Sequence, residues 1–302
     1  MSRDPHTPDR SPADAPVTDV EFTHVNGVRL CVRDRGPVGA GPPVVLLHGT
    51  TAHLGVWDEV VARLGPDVRT LAVDQRGHGR SDRPPGARYG AEEYSADVAA
   101  LLRELGEGPA VVAGHSLGAR NAVVLGARHP ELVAGVVAVD YTPFVEPEVL
   151  DALHTRVRGG DRAFSSAREV EDYLRERYPL LPDAAVRRRS RYGYRRAADG
   201  WRPLADPRAM VLTVEGLRPD FDAECRAVRV PVTLIRGEHS RIVSPRAFDA
   251  TRRLRPDLRA VQLPGLDHYV PEEDPVAVAR EIRRTRDRTD HPNRPNRPNR
   301  PS

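Results

Sequence analysis

Ala110-Val111-Val112-Ala113-Gly114-His115-Ser116-Leu117-Gly118-Ala119-Arg120-Asn121 is the stretch from which the rest of the chain can be read. Four apolar residues give a strand, and Ala119 to Ala127 gives a helix. Between them stands Gly-x-Ser-x-Gly, a tight turn that holds its central Ser in strained backbone geometry and lifts the hydroxyl above the sheet. The two glycines relieve the crowding such a turn creates. The pattern predicts Ser116 as a nucleophile, with the Leu117 N–H at a helix N-terminus beside it.

Outward from this turn the chain alternates short apolar runs with helical patterns. Val20 to Val25 and Val28 to Arg33 flank Asn26-Gly27, a hairpin signal. Val44 to Leu47, Leu71 to Val73, Val136 to Val139 and Val232 to Ile235 read as further strands, and Ala96 to Leu102 as part of a helix. Fully apolar strands alternating with helices predict an α/β fold with a parallel sheet covered on both faces. The regularity breaks between about Tyr141 and Ala223, a stretch without clear strands that reads as several helices. An insertion there would cap the strand ends where α/β sheets bind ligands. The organisation expected is a disordered segment at 1–18, a core of 19–140 and 224–288, a helical cap at 141–223, and a low-complexity tail at 289–302 built on Pro-Asn-Arg triplets.

Composition narrows the chemistry. The 302 residues contain 46 Lys+Arg, and every one is Arg. Without lysine there is no Schiff base and no phosphate-loop ammonium. The net charge is +3 and aromatics are 5% of residues, so nothing favours nucleic acid. Clusters such as Arg187-Arg188-Arg189 read as solvated helix surface. Cys31 and Cys225 lie far apart without metal spacing and read as ordinary, partly buried thiols of a reducing compartment. No apolar run suits a signal peptide or membrane span, which makes a cytoplasmic location the expectation.

A serine nucleophile needs a base, a group that orients the base, and donors for the oxyanion. Strand Val261 to Leu263, then Pro264-Gly265, then His268 places a late histidine where the base belongs. For the acid, the loop after Val232 to Ile235 reads Gly237-Glu238-His239-Ser240, with Ser240 where a carboxylate is usual. Asp140, at the end of Val136 to Val139, is therefore favoured over Glu238, and Asp267 is a third candidate. His48-Gly49-Thr50-Thr51 supplies the second oxyanion donor, with Thr50 preferred. Asp74 to Asp82 reads as a loop that buttresses the His48-Gly49 turn.

Taken in order, His48-Gly49, the Asp74 to Ser81 loop, the Ser116 turn and His268 resemble the α/β-hydrolase superfamily over roughly Val20 to Arg286. That resemblance implies an α/β-hydrolase fold, a mostly parallel eight-stranded sheet flanked by helices with an inserted helical cap, no metal and no organic cofactor. Gly114 to Asn121 together with Val139-Asp140-Tyr141-Thr142-Pro143-Phe144 is similar, more narrowly, to the group containing E-2-(acetamidomethylene)succinate hydrolase. This implies a triad acid at Asp140 and a dicarboxylate held from the cap by Arg156, Arg177 and Tyr178. The expected function is hydrolysis of an ester, amide, enamide or lactone of a small acyl compound by Ser116, His268 and Asp140. Neither nucleic acid nor membrane is expected as a partner, and a homodimer stays open. A lyase or a ligand-binding protein on the same fold is the alternative.

Overall fold

The computed structural model describes residues 19–290, apart from 85, 87 and 107. The expectations for 1–18 and for most of the Pro-Asn-Arg tail lie outside these residues. In chain order, β1 (Glu21–Val25), β2 (Val28–Arg35) and β3 (Val44–Leu47) are followed by α1 (Asp58–Leu64), β4 (Thr70–Asp74) and α2 (Ala91–Leu105). Then come β5 (Ala110–His115), α3 (Leu117–Arg128) and β6 (Val133–Val139). The inserted stretch holds α4 (Pro147–Arg158), α5 (Ala167–Arg177), α6 (Asp183–Gly193), β7 (Tyr194–Ala197), β8 (Gly200–Pro203), α7 (Pro207–Glu215) and α8 (Asp222–Ala227). The chain closes with β9 (Val232–Gly237), α9 (Pro245–Leu254), β10 (Arg259–Leu263), α10 (Val270–Glu273) and α11 (Pro275–Asp290).

Eight strands form one sheet in the order β1-β2-β4-β3-β5-β6-β9-β10. The hairpin β1–β2 and the β2–β4 pair are antiparallel, and every pairing from β4 to β10 is parallel. Asn26 and Gly27 turn the hairpin with φ of 49° and 73°, the left-handed pair a two-residue loop requires. Alternate residues of the central strands go to opposite faces. Val45, Leu47 and Val112 pack with Val98, Leu102 and Ala122. Val44, Leu46 and Val111 pack with Trp57, Val60 and Ile282. Both faces are thus covered, which is why β3 is apolar at every position.

Two expectations need correction. The inserted stretch is not wholly helical: β7 and β8 form an antiparallel hairpin, and Phe164 bridges to Trp201. Asp199-Gly200 is a turn signal, but the arginines of the flanking strands hide the alternation that would have revealed it. Nor is Arg187-Arg188-Arg189 a solvated face. Consecutive helical residues are about 100° apart, so three of them cannot all point outward on one face. Arg187 is exposed, Arg188 pairs with Glu59 at 3.0 Å, and Arg189 is buried alongside Val186 and Ser190. At the ends of the insertion, a boundary at 223/224 falls inside α8, and α11 continues through Thr289 to Asp290.

Parallel strands deliver their C-terminal ends to one edge of the sheet. The His48 loop follows β3, Ser116 follows β5, Asp140 follows β6 and the loop to His268 follows β10. Helix α4 follows soon after Asp140 and carries residues to the same edge.

Candidate active site

Ser116 has φ 53° and ψ −113°, a conformation L residues adopt only when the surroundings enforce it. The enforcement is visible. The Ser116 N–H donates to Val139 O at 2.9 Å, and the Ser116 carbonyl accepts from Ala119 and Arg120 N–H at 3.0 and 3.1 Å. A Cβ on Gly114 would stand 2.1 Å from Gly118 O, and one on Gly118 would stand 2.1 Å from Leu47 O. Both glycines are needed for close approach, one within the turn and one between the turn and β3. Leu117 is the first residue of α3, so its N–H belongs to the unsatisfied set at a helix start.

Asp140 is also left-handed, with φ 49°, and is fully buried. Its carboxylate accepts from the Gly237 N–H at 2.9 Å, the Ser240 hydroxyl at 2.5 Å and His268 Nδ1 at 2.6 Å. Ser240, noted in the sequence only for not being a carboxylate, is therefore a donor to one. Its oxygen in turn accepts from the Val243 N–H at 3.0 Å. Burial pushes the Asp140 carboxyl upward against the Ser240 and Gly237 hydrogen bonds. Burial pushes His268 down, so its imidazole is neutral near pH 7 and Nδ1–H donates to Asp140. The other two acid candidates lie elsewhere. Glu238 is exposed and accepts from Gly265 N–H at 2.8 Å. Asp267 neighbours His268 along the chain, and its own N–H donates to Glu273 at 2.7 Å.

His115, one of the two variable positions of the pentad, gave no signal in the sequence. Its Nε2 lies 2.7 Å from the His268 carbonyl, across 153 residues of chain. A carbonyl only accepts, so Nε2 carries the proton, and His115 steadies the backbone of His268.

Thr50 and Ser116 line one cavity of ≈ 30 Å³ together with His115, Arg156, Arg177, Tyr178, Arg189, His268 and Tyr269. The loop that carries Thr50 is tied down by a buried chain. Gln75 N–H donates to His48 Nε2 at 3.1 Å, Gln75 Nε2 donates to the His48 carbonyl at 2.7 Å, and Asn121 donates to Gln75 Oε1 at 2.5 Å. The Asp74 to Asp82 loop does buttress the His48-Gly49 turn, and Gln75 is the residue that does it. The buried Thr50 hydroxyl has no partner among the described residues.

Across the cavity stand Arg156, Arg177 and Arg189. Arg156 donates to the Tyr269 hydroxyl at 2.8 Å, and Arg177 donates to the Tyr173 and Tyr178 hydroxyls at 2.7 and 3.2 Å. Those are neutral oxygens, so neither bond neutralises a guanidinium. Arg189 is paired with buried Glu272 at 3.0 Å and stacks over Tyr178 and Tyr269 at 4.6 and 4.8 Å. Burial raises the Tyr178 phenol, but Arg189, Arg177 and Arg156 outweigh it and bring it down to about 8. A phenol lowered in a buried place reports a strongly positive cavity. Arg177, Tyr178 and Arg189 also wall a second chamber of ≈ 60 Å³ that extends past Tyr173 and Tyr194. The three residues implied by resemblance are thus brought together with Ser116, and Arg189, Glu272 and Tyr269 join them unforeseen.

Residues 42–275 match a family profile described as the alpha/beta hydrolase fold. The chain belongs to the α/β-hydrolase fold family. Within it, the chain is 45% identical to 2-(acetamidomethylene)succinate hydrolase of Mesorhizobium japonicum over 258 residues, 85% of this chain and 91% of that protein. It is 31% identical to esterase Rv0045c of Mycobacterium tuberculosis, over 82% of this chain and 84% of that one. Its structure is similar to the crystal structure of E-2-(acetamidomethylene)succinate hydrolase, with a TM-score of 0.85 and 44% identity, over 89% of this chain and 98% of that one. Outside the site, Cys31 and Cys225 are buried free thiols. Among the described residues no helix is long and apolar enough to cross a membrane.

Proposed function

We propose that the chain is a serine hydrolase that cleaves a small carboxylate-bearing acyl compound, with an enamide such as 2-(acetamidomethylene)succinate the first candidate. The observation that carries this reading is the pairing within one cavity of strained Ser116 and Asp140-bound His268 with two arginines that have neutral partners. The identity to a hydrolase of that name supports it.

In this mechanism His268 Nε2 takes the Ser116 proton while Asp140 holds Nδ1–H and stabilises the imidazolium that forms. Ser116 Oγ bonds to the acyl carbon. The carbonyl electron pair moves onto oxygen, where the Leu117 and Thr50 N–H groups receive it. Each such donor is worth about a hundred- to a thousandfold in rate. The tetrahedral species collapses, the acyl–nitrogen bond breaks, and His268 returns the proton to the leaving nitrogen. Water, deprotonated by the same histidine, then attacks the acyl-enzyme, releases the carboxylic acid and restores Ser116. The segment 141–223 acts as a cap: Arg156 and Arg177 fork onto substrate carboxylates, and Tyr178 and Tyr269 fix their planes. Arg189, already matched by Glu272, holds the wall.

Intact mass after fluorophosphonate treatment tests the nucleophile. The expected result is one adduct on the wild type and none on Ser116→Ala, with acetate released from 2-(acetamidomethylene)succinate by the wild type alone. Equal acetate release by Ser116→Ala would overturn the mechanism.

A further inference from the structure

Ser116 borders two cavities, and they differ in kind. The first is the cationic one described above. The second lies against Asp140 and Tyr141 and is walled by Val145, Leu150, Leu153, Leu217, Ile242 and Val243. Its volume is ≈ 20 Å³, against the 10–15 Å³ or so that a single water occupies on the same measure. The Asp140 carboxylate is taken up by Gly237, Ser240 and His268. The Tyr141 hydroxyl is buried without a partner among the described residues. The cavity is therefore an apolar recess, smaller than the cationic one by about a third on the same measure. Helix α4 serves both chambers: Leu150 and Leu153 line the apolar one, and Leu153 and Arg156 line the cationic one.

A substrate attacked at Ser116 has two halves, the acyl group and the leaving group, and they must divide between these spaces. A carboxylate placed in the apolar recess would lose its hydration and gain at most the neutral Tyr141 hydroxyl, whereas the other cavity offers two guanidinium groups, and this difference sets the orientation. We infer that the acyl group occupies the recess of Val145, Leu150, Leu153, Leu217, Ile242 and Val243, so the enzyme selects short acyl chains, acetyl and propionyl. The carboxylates then ride on the leaving group, among Arg156 and Arg177. This rests on the serine-hydrolase reading and adds to it the space that receives the acyl group and a limit on acyl length.

The test uses p-nitrophenyl acetate, propionate, butyrate and hexanoate, whose common leaving group carries no carboxylate and keeps the arginines out of the comparison. For the wild type, kcat/KM should fall at least about tenfold with each methylene the recess cannot hold, beginning beyond propionate. Leu217→Ala, at a residue that lines the recess and not the cationic cavity, should raise butyrate relative to acetate by about tenfold or more. Val145→Ala, at a half-buried position, should do the same in smaller measure and stands in should Leu217→Ala fail to fold. A wild-type profile that is flat or rises to hexanoate while fluorophosphonate still labels Ser116 would overturn the acyl assignment and leave the hydrolase reading intact. So would an unchanged profile in both folded variants. Absence of both ester turnover and the Ser116 adduct would overturn the hydrolase reading, and the acyl assignment with it.

Discussion

At the sheet edge, Ser116, Asp140 and the Thr50 loop are placed by backbone geometry. Across the cavity, Arg156, Arg177 and Arg189 are placed by side chains resting on side chains. The first group has positive φ at Thr51, Ser116 and Asp140, close approaches that only glycine permits, and main-chain hydrogen bonds to neighbouring strands. The second has flexible guanidinium groups stacked on Tyr178 and Tyr269, whose rings cross at 73° with centroids 4.6 Å apart. In the proposed mechanism, chemistry that must be placed to a fraction of an ångström falls to the rigid side. Recognition, where a bidentate charge contact tolerates small shifts, falls in that mechanism to the inserted segment. The difference teaches that a variant on one side should damage rate and a variant on the other should damage binding.

The largest expected effect breaks the rigid side. Asp140→Asn keeps the shape but removes the acceptor that holds His268 in the right tautomer, and kcat should fall by about 10⁴-fold. Glu238→Gln, on an exposed carboxylate that touches Gly265, should stay within about twofold. Steady-state rates of the two variants compare them directly, and a reversed order would move the orienting acid to the β9 loop.

A smaller effect sharpens the other side. Arg177→Gln removes a charge that would face a substrate carboxylate, a loss of about 2–5 kcal/mol or roughly 30- to 5,000-fold. The loss should appear in KM for the dicarboxylate, while kcat changes little and p-nitrophenyl acetate is turned over as before. A fall in kcat on both substrates would instead place Arg177 in the catalytic step.

Acid should separate the two sides by stability. Burial holds His78 at about 4 and His115 and His268 at about 3, and pushes His48 and His53 well down. Their folded values lie below the unfolded 6.5, so below that pH the unfolded chain binds more protons and stability falls. Each contributes about 1.4 kcal/mol per pH unit. Burial also raises Asp74 to about 6 and pushes Asp140 upward, and these work in the opposite sense from about pH 4 up to their raised values. Five histidines outweigh two carboxylates. The urea midpoint should therefore drop from pH 7 to pH 5.5, and a midpoint that rises would refute this balance.

The elements that were legible are those whose cause is local. Gly114 and Ser116 announce their turn because the crowding at Gly114 involves Gly118 O and Ala119 N, the turn's own backbone, whatever the side chains around it. The apolar runs of β3, β5 and β6 announce buried parallel strands for the same kind of reason. Asn26-Gly27 names its hairpin by φ alone. His268 and Asp140 could be proposed from their places after strands, since strand order carries them to one edge.

What stayed hidden depends on partners remote in the chain. Arg189 meets Glu272 across 83 residues, and among so many arginines no composition or spacing distinguishes the one that turns inward. Ser240 meets Asp140 across 100 residues, so as sequence it is only a missing carboxylate, whereas in the fold it is a donor to the present one. The two cavities at Ser116 exist only where α4 lies over the strand ends. Sequence by itself determined the sheet, the turn that carries Ser116 and the sheet edge to which Ser116 and Asp140 are carried, because backbone sterics and apolar periodicity act over a few residues. Tertiary structure decided which arginines line the cavity at Ser116, what Ser240 touches and how large the apolar recess is, because burial, charge pairing and free volume arise only when distant segments pack.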